Sequence, residues 1–179
     1  MGQAQPWDRQ AVHDELDRVQ ADFHGLLSQA APASLARRTD GTRWTNEQLL
    51  FHMLFGYIIV RALLPLMGLF GRLPAGFSRA YARLLNAATR PFDLVNYLGP
   101  CAAVHIYGHQ RMAAKLDRVL AGLRNSVDSA TTADLARGMH YPTRWDPFFT
   151  GYMTVADLYR YPTRHYDFHR RQLTLTIPA

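Results

Sequence analysis

The side chains best suited to chemistry lie near the C-terminus, in the stretch Thr163-Arg164-His165-Tyr166-Asp167-Phe168-His169-Arg170-Arg171-Gln172. His165 and His169 are four apart, so on a helix both rings leave one face about one turn from each other. Neutral imidazole is the commonest side-chain metal ligand among groups that titrate near neutrality. Two rings on one turn make half a metal site, and two other places offer the rest. His52 falls on the apolar stripe Leu49, His52, Gly56, Ile59, Leu63. A second His-x-x-x-His, His105 and His109, lies on the backward extension of the stripe Met112, Leu116, Val119, Leu123, which predicts that it too faces inward. Spacing alone leaves both open.

The donor set narrows the chemistry. Carboxylate-bridged di-metal bundles need several inward glutamates, and this chain has only Glu15 and Glu47. Three imidazoles around one ion leave positions free for water or substrate, which is the catalytic arrangement. Zinc or nickel suits such a set, and iron is compatible with it. An ion held this way lowers the pKa of a bound water or thiol and so generates a nucleophile near neutral pH. Asp167 and Asp157 are candidates to accept an imidazole N–H. Arg164 and Arg170 read first as solvated surface arginines and second as candidates to attract an anionic substrate.

The elements that must position these groups read as helices. Residues 8–29 carry the stripe Val12, Leu16, Val19, Phe23, Leu26, with Asp8 as cap. Residues 30–43 are polar and read as a loop. Thr45 with Gln48 forms a capping box for a helix over about 46–63 or a little beyond. From Leu49 to Phe70 the chain is almost wholly apolar, long enough for a bilayer. Arg61 near the centre and Pro65 near the end predict a buried bundle helix instead, with no stable membrane insertion. Residues 64–100, rich in proline and glycine, read as an elaborated crossover with a helix over 77–88 and a shorter one over 92–98. It is suited to covering a pocket or making a homodimer contact. A long helix follows over 101–124, then a turn region. Residues 133–153 form an aromatic loop with Trp145, Pro147 and Phe148-Phe149, suited to a pocket wall. Thr154 starts the last helix, whose stripe Val155, Leu158, Pro162, His165, His169 turns both histidines inward; Pro162 predicts a kink or a tightened turn just before His165. The tail 174–179 reads as extended. The expected fold is all-α: an antiparallel four-helix bundle, with the crossover between the second and third main helices, in a single domain over 1–179.

Composition bounds the rest. Basic residues exceed acidic ones by six in 179 residues, but they are dispersed and no nucleic-acid-binding motif accompanies them, so a small-molecule substrate is expected rather than nucleic acid. One cysteine, Cys101, excludes an internal disulfide. With a start, Met1 to Asp8, that lacks the pattern of a signal peptide, it predicts a cytoplasmic protein.

Three segments in order also resemble a known family. Trp44-Thr45-Asn46-Glu47-Gln48-Leu49-Leu50-Phe51-His52, then Thr154-Val155-Ala156-Asp157-Leu158, then His165-Tyr166-Asp167-Phe168-His169-Arg170-Arg171-Gln172-Leu173 are similar to the DinB/YfiT-like superfamily, over roughly residues 8–173. The resemblance implies a four-helix bundle holding one divalent metal through His52, His165 and His169. It also implies thiol S-transferase-like or isomerase-like chemistry. In that chemistry the metal activates a low-molecular-weight thiol such as mycothiol, or water, for attack on a small electrophile. Trp44 and Trp145 are expected beside that site. A metal- or ligand-binding bundle with a stress-response role and no catalysis is the alternative. The crossover and the extra pair His105 and His109 are departures from the family pattern.

Overall fold

The computed structural model describes residues 7–176; the readings made on residues 1–6 and on 177–179, at the start and the tail, lie outside the described residues. The first helix, α1 (Arg9–Gln29), is capped by Asp8, whose carboxylate accepts from Ala11 N–H at 3.1 Å. It buries the expected stripe from Val12 to Leu26. Within the expected loop a single turn, α2 (Pro32–Leu35), starts on a proline, where the missing N–H is no loss.

The second main helix, α3 (Asn46–Phe70), has both halves of the Thr45–Gln48 capping box. It runs on through Pro65 to Phe70, two turns beyond 63. The carbonyl four residues back belongs to Arg61, and both residues are exposed, so water can satisfy the acceptor that Pro65 leaves unpaired. From Leu49 to Leu54 it is buried on every side, whereas from Ile58 onward only Val60 and Met67 are buried.

The crossover is helical: α4 (Ala75–Ala87), then the first half of α5 (Thr89–Ser129). The latter is two helices joined at Gly108, whose φ of 60° and ψ of 163° lie in a region that only glycine occupies readily. The second half of α5 buries Met112, Leu116, Val119 and Leu123 as expected, and continues to Ser129. The expected aromatic loop contains a short helix, α6 (Thr132–Ala136), and an antiparallel hairpin of β1 (Gly138–His140) and β2 (Tyr152–Thr154), with Met139 opposite Met153. The last helix, α7 (Val155–Arg170), starts on a complete Thr154–Asp157 capping box and continues through Pro162.

Packing joins α1 to α5, α5 to α3, α3 to α7, and α7 back to α1. The protein is therefore an all-α bundle with crossovers, with one small hairpin at its edge. In the order α1, α5, α3, α7 around the bundle, the consecutive main helices α3 and α5 are neighbours, while α1 and α3 sit across the diagonal. The buried apolar side chains form one cluster that runs from Val12 to Tyr166. His52 and His165 lie at its edge, 5% and 4% exposed.

Candidate metal centre

Three imidazoles meet between α3 and α7. His52 is carried two turns into α3, so the Thr45–Gln48 box that fixes the start of the helix also sets its height. Trp44, immediately before the cap, stacks on the His52 ring at 4.4 Å between centroids. Its indole N–H donates to the Tyr97 carbonyl at 3.1 Å, which holds the stack in place. His165 and His169 lie one turn apart on α7, with ring centroids 4.6 Å apart and each within 4.9 Å of the His52 ring. Room for His165 comes from Gly56: a Cβ there would stand 2.9 Å from His165 Nδ1. The small residue on the predicted α3 stripe is thus where the imidazole from α7 seats itself.

Burial pushes all three rings toward the neutral form. Burial pushes the His52 pKa down to about 3, helped by the nearby His169. Burial, together with His52 and His169, takes His165 well below the usual histidine value. Burial also lowers His169, against a raising contribution from its hydrogen bond to Gln172. A neutral imidazole has a free lone pair, the form in which it binds metal.

The donor geometry fits a divalent ion. His52 Nε2 and His165 Nε2 are 3.2 Å apart. Two nitrogens on one tetrahedral ion at ordinary zinc–nitrogen lengths stand about 3.3 Å apart. One potential ligand atom from each of the three histidines lies within 4.8 Å of the others. His169 Nδ1 is 2.7 Å from Gln172 Oε1, so Nδ1–H can donate to the amide and leave Nε2 free for the cluster. Gln172 is itself tethered, its carbonyl accepting from Asp40 N–H at 2.9 Å. Nδ1 of His52 and of His165 are buried without a protein partner among the described residues. The cluster is compatible with a divalent metal site.

An acidic group that sequence reasoning passed over stands beside it. Asp146 Oδ2 is 3.8 Å from His165 Nε2 and accepts from the Tyr161 hydroxyl at 2.8 Å. Its Oδ1 accepts from Phe148 N–H at 2.8 Å. Burial raises its pKa against the lowering effect of these two hydrogen bonds and of His169. A single carboxylate between Trp145 and Pro147-Phe148-Phe149 was the available signal. An ionisable group set among so many aromatic rings is costly to bury unless it is used.

These groups border a cavity of about 460 Å³. The expected loop supplies one wall through Tyr141, Trp145, Phe148 and Phe149, while α3 supplies Phe55, Ile59 and Leu63 and the crossover supplies Tyr81, Leu85 and Val95. Trp145 lies flat on Phe92 at 3.9 Å and donates to the Leu85 carbonyl at 2.8 Å, pinning loop to crossover. Among the described residues the wall contains no arginine or lysine; apart from the histidines and Asp146, its side-chain polar groups are Asn96, the Tyr81, Tyr141 and Tyr161 hydroxyls, and the Trp44 and Trp145 indole N–H groups, both of which donate to backbone carbonyls.

Several expected roles are corrected. Asp167 does not face the cluster; it forms two hydrogen bonds with Arg18 at 2.9 and 3.0 Å on the surface between α1 and α7. Asp157 is occupied in capping α7. Arg164, exposed on a groove of α1 and α7, and Arg170, paired with Asp22 at 2.9 Å, are surface arginines, the first of their two expected readings, and neither lines the cavity. His105 and His109 do not face inward together. The break at Gly108 stops the core stripe from extending backward, leaving His105 exposed and His109 beside Glu47, its Nδ1 3.4 Å from Oε1.

A helical bundle whose facing helices converge three neutral histidines on one point defines a class of metal-dependent fold. The family model for the DinB superfamily matches residues 15–173, and the chain belongs to that superfamily. Comparison with curated proteins and with solved structures found no match.

Proposed function

We propose that the protein is a metal-dependent enzyme that joins a low-molecular-weight thiol, or water, to a small and largely apolar electrophile. The observation that carries this reading is the convergence of His52, His165 and His169 on one side of an apolar cavity of about 460 Å³. His52, His165 and His169 would hold the ion; when bound, a divalent ion at three imidazoles lowers the pKa of a thiol or water and polarises an electrophile. The chain's own residues do the rest. Asp146 offers Oδ2 to receive a proton from a nucleophile, with Tyr161 and Phe148 N–H fixing the orientation of its carboxylate. Trp44 and Gln172 hold His52 and His169 in register with His165. The aromatic wall excludes water and favours a substrate with aliphatic or aryl surface. Tyr141, buried in that wall with no partner for its hydroxyl among the described residues, is a donor available to a substrate carbonyl.

The test is elemental analysis of the purified protein, followed by thiol consumption with a panel of apolar electrophiles in the presence of the metal found. Stoichiometric metal with thiol loss that depends on it supports the reading. Asp146→Asn should then retain metal and lose most of the turnover, about 10²-fold or more for a general base. Stoichiometric metal without any turnover would favour the binding-protein alternative, and no metal at all would sink the three-histidine site and the enzyme built on it.

A further inference from the structure

The crossover has an outward surface that the bundle does not explain. On α4 the inner face is Ser78 and Ala82, both buried, while Phe77 and Leu84 point outward, 60% and 66% exposed. On the first half of α5, Leu94, Leu98 and Ile106 recur on the solvent side at 58%, 49% and 70% exposure, with Ala102 between them. Leu69 at the end of α3 is also more than half exposed. Single exposed leucines are ordinary, but two successive helices with apolar outer rows mark an interaction surface.

The charge around these rows is one-sided. From Gln48 to Leu116 the chain has seven basic residues and a single acidic one, Asp93. Arg72, Arg79, Arg83 and Arg90 all lie in or beside the crossover helices and are exposed. On α4, Arg79 and Arg83 border the outward face across Ala80 and Ala87 from the Phe77 and Leu84 row. Among the described residues, Arg79, Arg83 and Arg90 have no side-chain hydrogen bond or ion pair. A second copy meeting this face symmetrically would set arginine against arginine with almost no carboxylate to relieve it. Apolar rows flanked by unpaired arginines instead match a helix lying in the interface of a bilayer that carries anionic headgroups.

We propose that the crossover, α4 with the first half of α5, docks the protein on an anionic lipid surface without spanning it. The apolar rows enter the headgroup–acyl boundary and the arginines hold the headgroup charge. Tyr81, Leu85 and Val95 of the same segment line the cavity at the histidine cluster. Docking therefore brings one wall of the cavity to the lipid surface, where apolar molecules concentrate. The docking surface does not depend on the identity of the metal or on the reaction.

The experiment is co-sedimentation of the full chain with phosphatidylcholine vesicles, with and without phosphatidylglycerol, at low and high salt. Binding is expected to the phosphatidylglycerol vesicles, weakened by salt. Arg79→Ala with Arg83→Ala should lower it about 25-fold, roughly fivefold for each charge at the surface. Leu94→Glu with Leu98→Glu should abolish it, while Arg164→Ala, which removes a charge from the α1–α7 groove, should leave it unchanged. Circular dichroism of each variant checks that helix content is retained. Absence of binding, or equal binding to neutral and anionic vesicles, overturns the proposal. So does a concentration-dependent dimer in sedimentation velocity that Leu94→Glu dissociates, because that result assigns the face to a second copy.

Discussion

The chain contains two His-x-x-x-His pairs, and they have opposite fates. His165 and His169 stand on a helix that is capped at Thr154, keeps helical geometry to Arg170 and lies against α3. His105 and His109 have the same spacing, but Gly108 lies between them and turns the backbone out of the helix. His105 ends exposed. His109 becomes the first residue of a new helical segment, and its backbone N–H, freed of a helical acceptor, donates to Glu47 Oε1 at 3.0 Å. Glu47 thereby caps the second half of α5 from α3, where the positive end of the helix dipole favours a carboxylate. The spacing i, i+4 states that two side chains share a face only while the helix is unbroken, and says nothing of where that face points.

Four measurements would break or sharpen this contrast. The largest effect is expected for His165→Ala with His169→Ala, which should reduce bound metal from stoichiometric to none by elemental analysis; His105→Ala with His109→Ala should leave it stoichiometric. If the second pair of substitutions strips the metal, the assignment of the site to α3 and α7 is wrong. Next comes Gln172→Ala, which frees the His169 ring. Metal affinity should fall about 10- to 100-fold in a competitive chelator titration, the usual cost of losing the group that orients a ligating imidazole. Gly108→Ala places a side chain at φ 60° and ψ 163° and should destabilise the protein by about 1–3 kcal/mol in denaturant unfolding. An unchanged or increased stability would mean that the two halves of α5 readily form one straight helix. The smallest effect is Glu47→Ala, about 1 kcal/mol by the same measurement, as for loss of a helix cap.

Much of the scaffold was legible because it is local. The stripes of α1 and α7, the capping boxes at Thr45 and Thr154, and the inward placement of His52 all follow from helical periodicity and end chemistry. The break at Gly108 was not legible, because a glycine inside a helix costs only about 1 kcal/mol and is usually tolerated. The hairpin pairing Met139 with Met153 was missed because each strand is three residues long, too short for an alternating pattern to register. Asp167 and Asp146 were exchanged in importance for a related reason. Asp167 is two residues from a histidine in sequence but points to Arg18, whereas Asp146 is brought to His165 by the fold of a loop.

The amino-acid sequence by itself determined where the main helices lie, the apolar stripes of α1, α3 and α7, and that His52 and the pair His165 and His169 lie on two of those stripes. These are properties of one helix at a time, set by side chains within a few residues of each other. Only the tertiary structure decided which faces meet, and hence that His52 and His165 stand 3.2 Å apart while His105 stands in solvent. That choice depends on how α3, α5 and α7 pack around Gly56 and break at Gly108, which is a matter of shape and space between distant segments rather than of spacing along the chain.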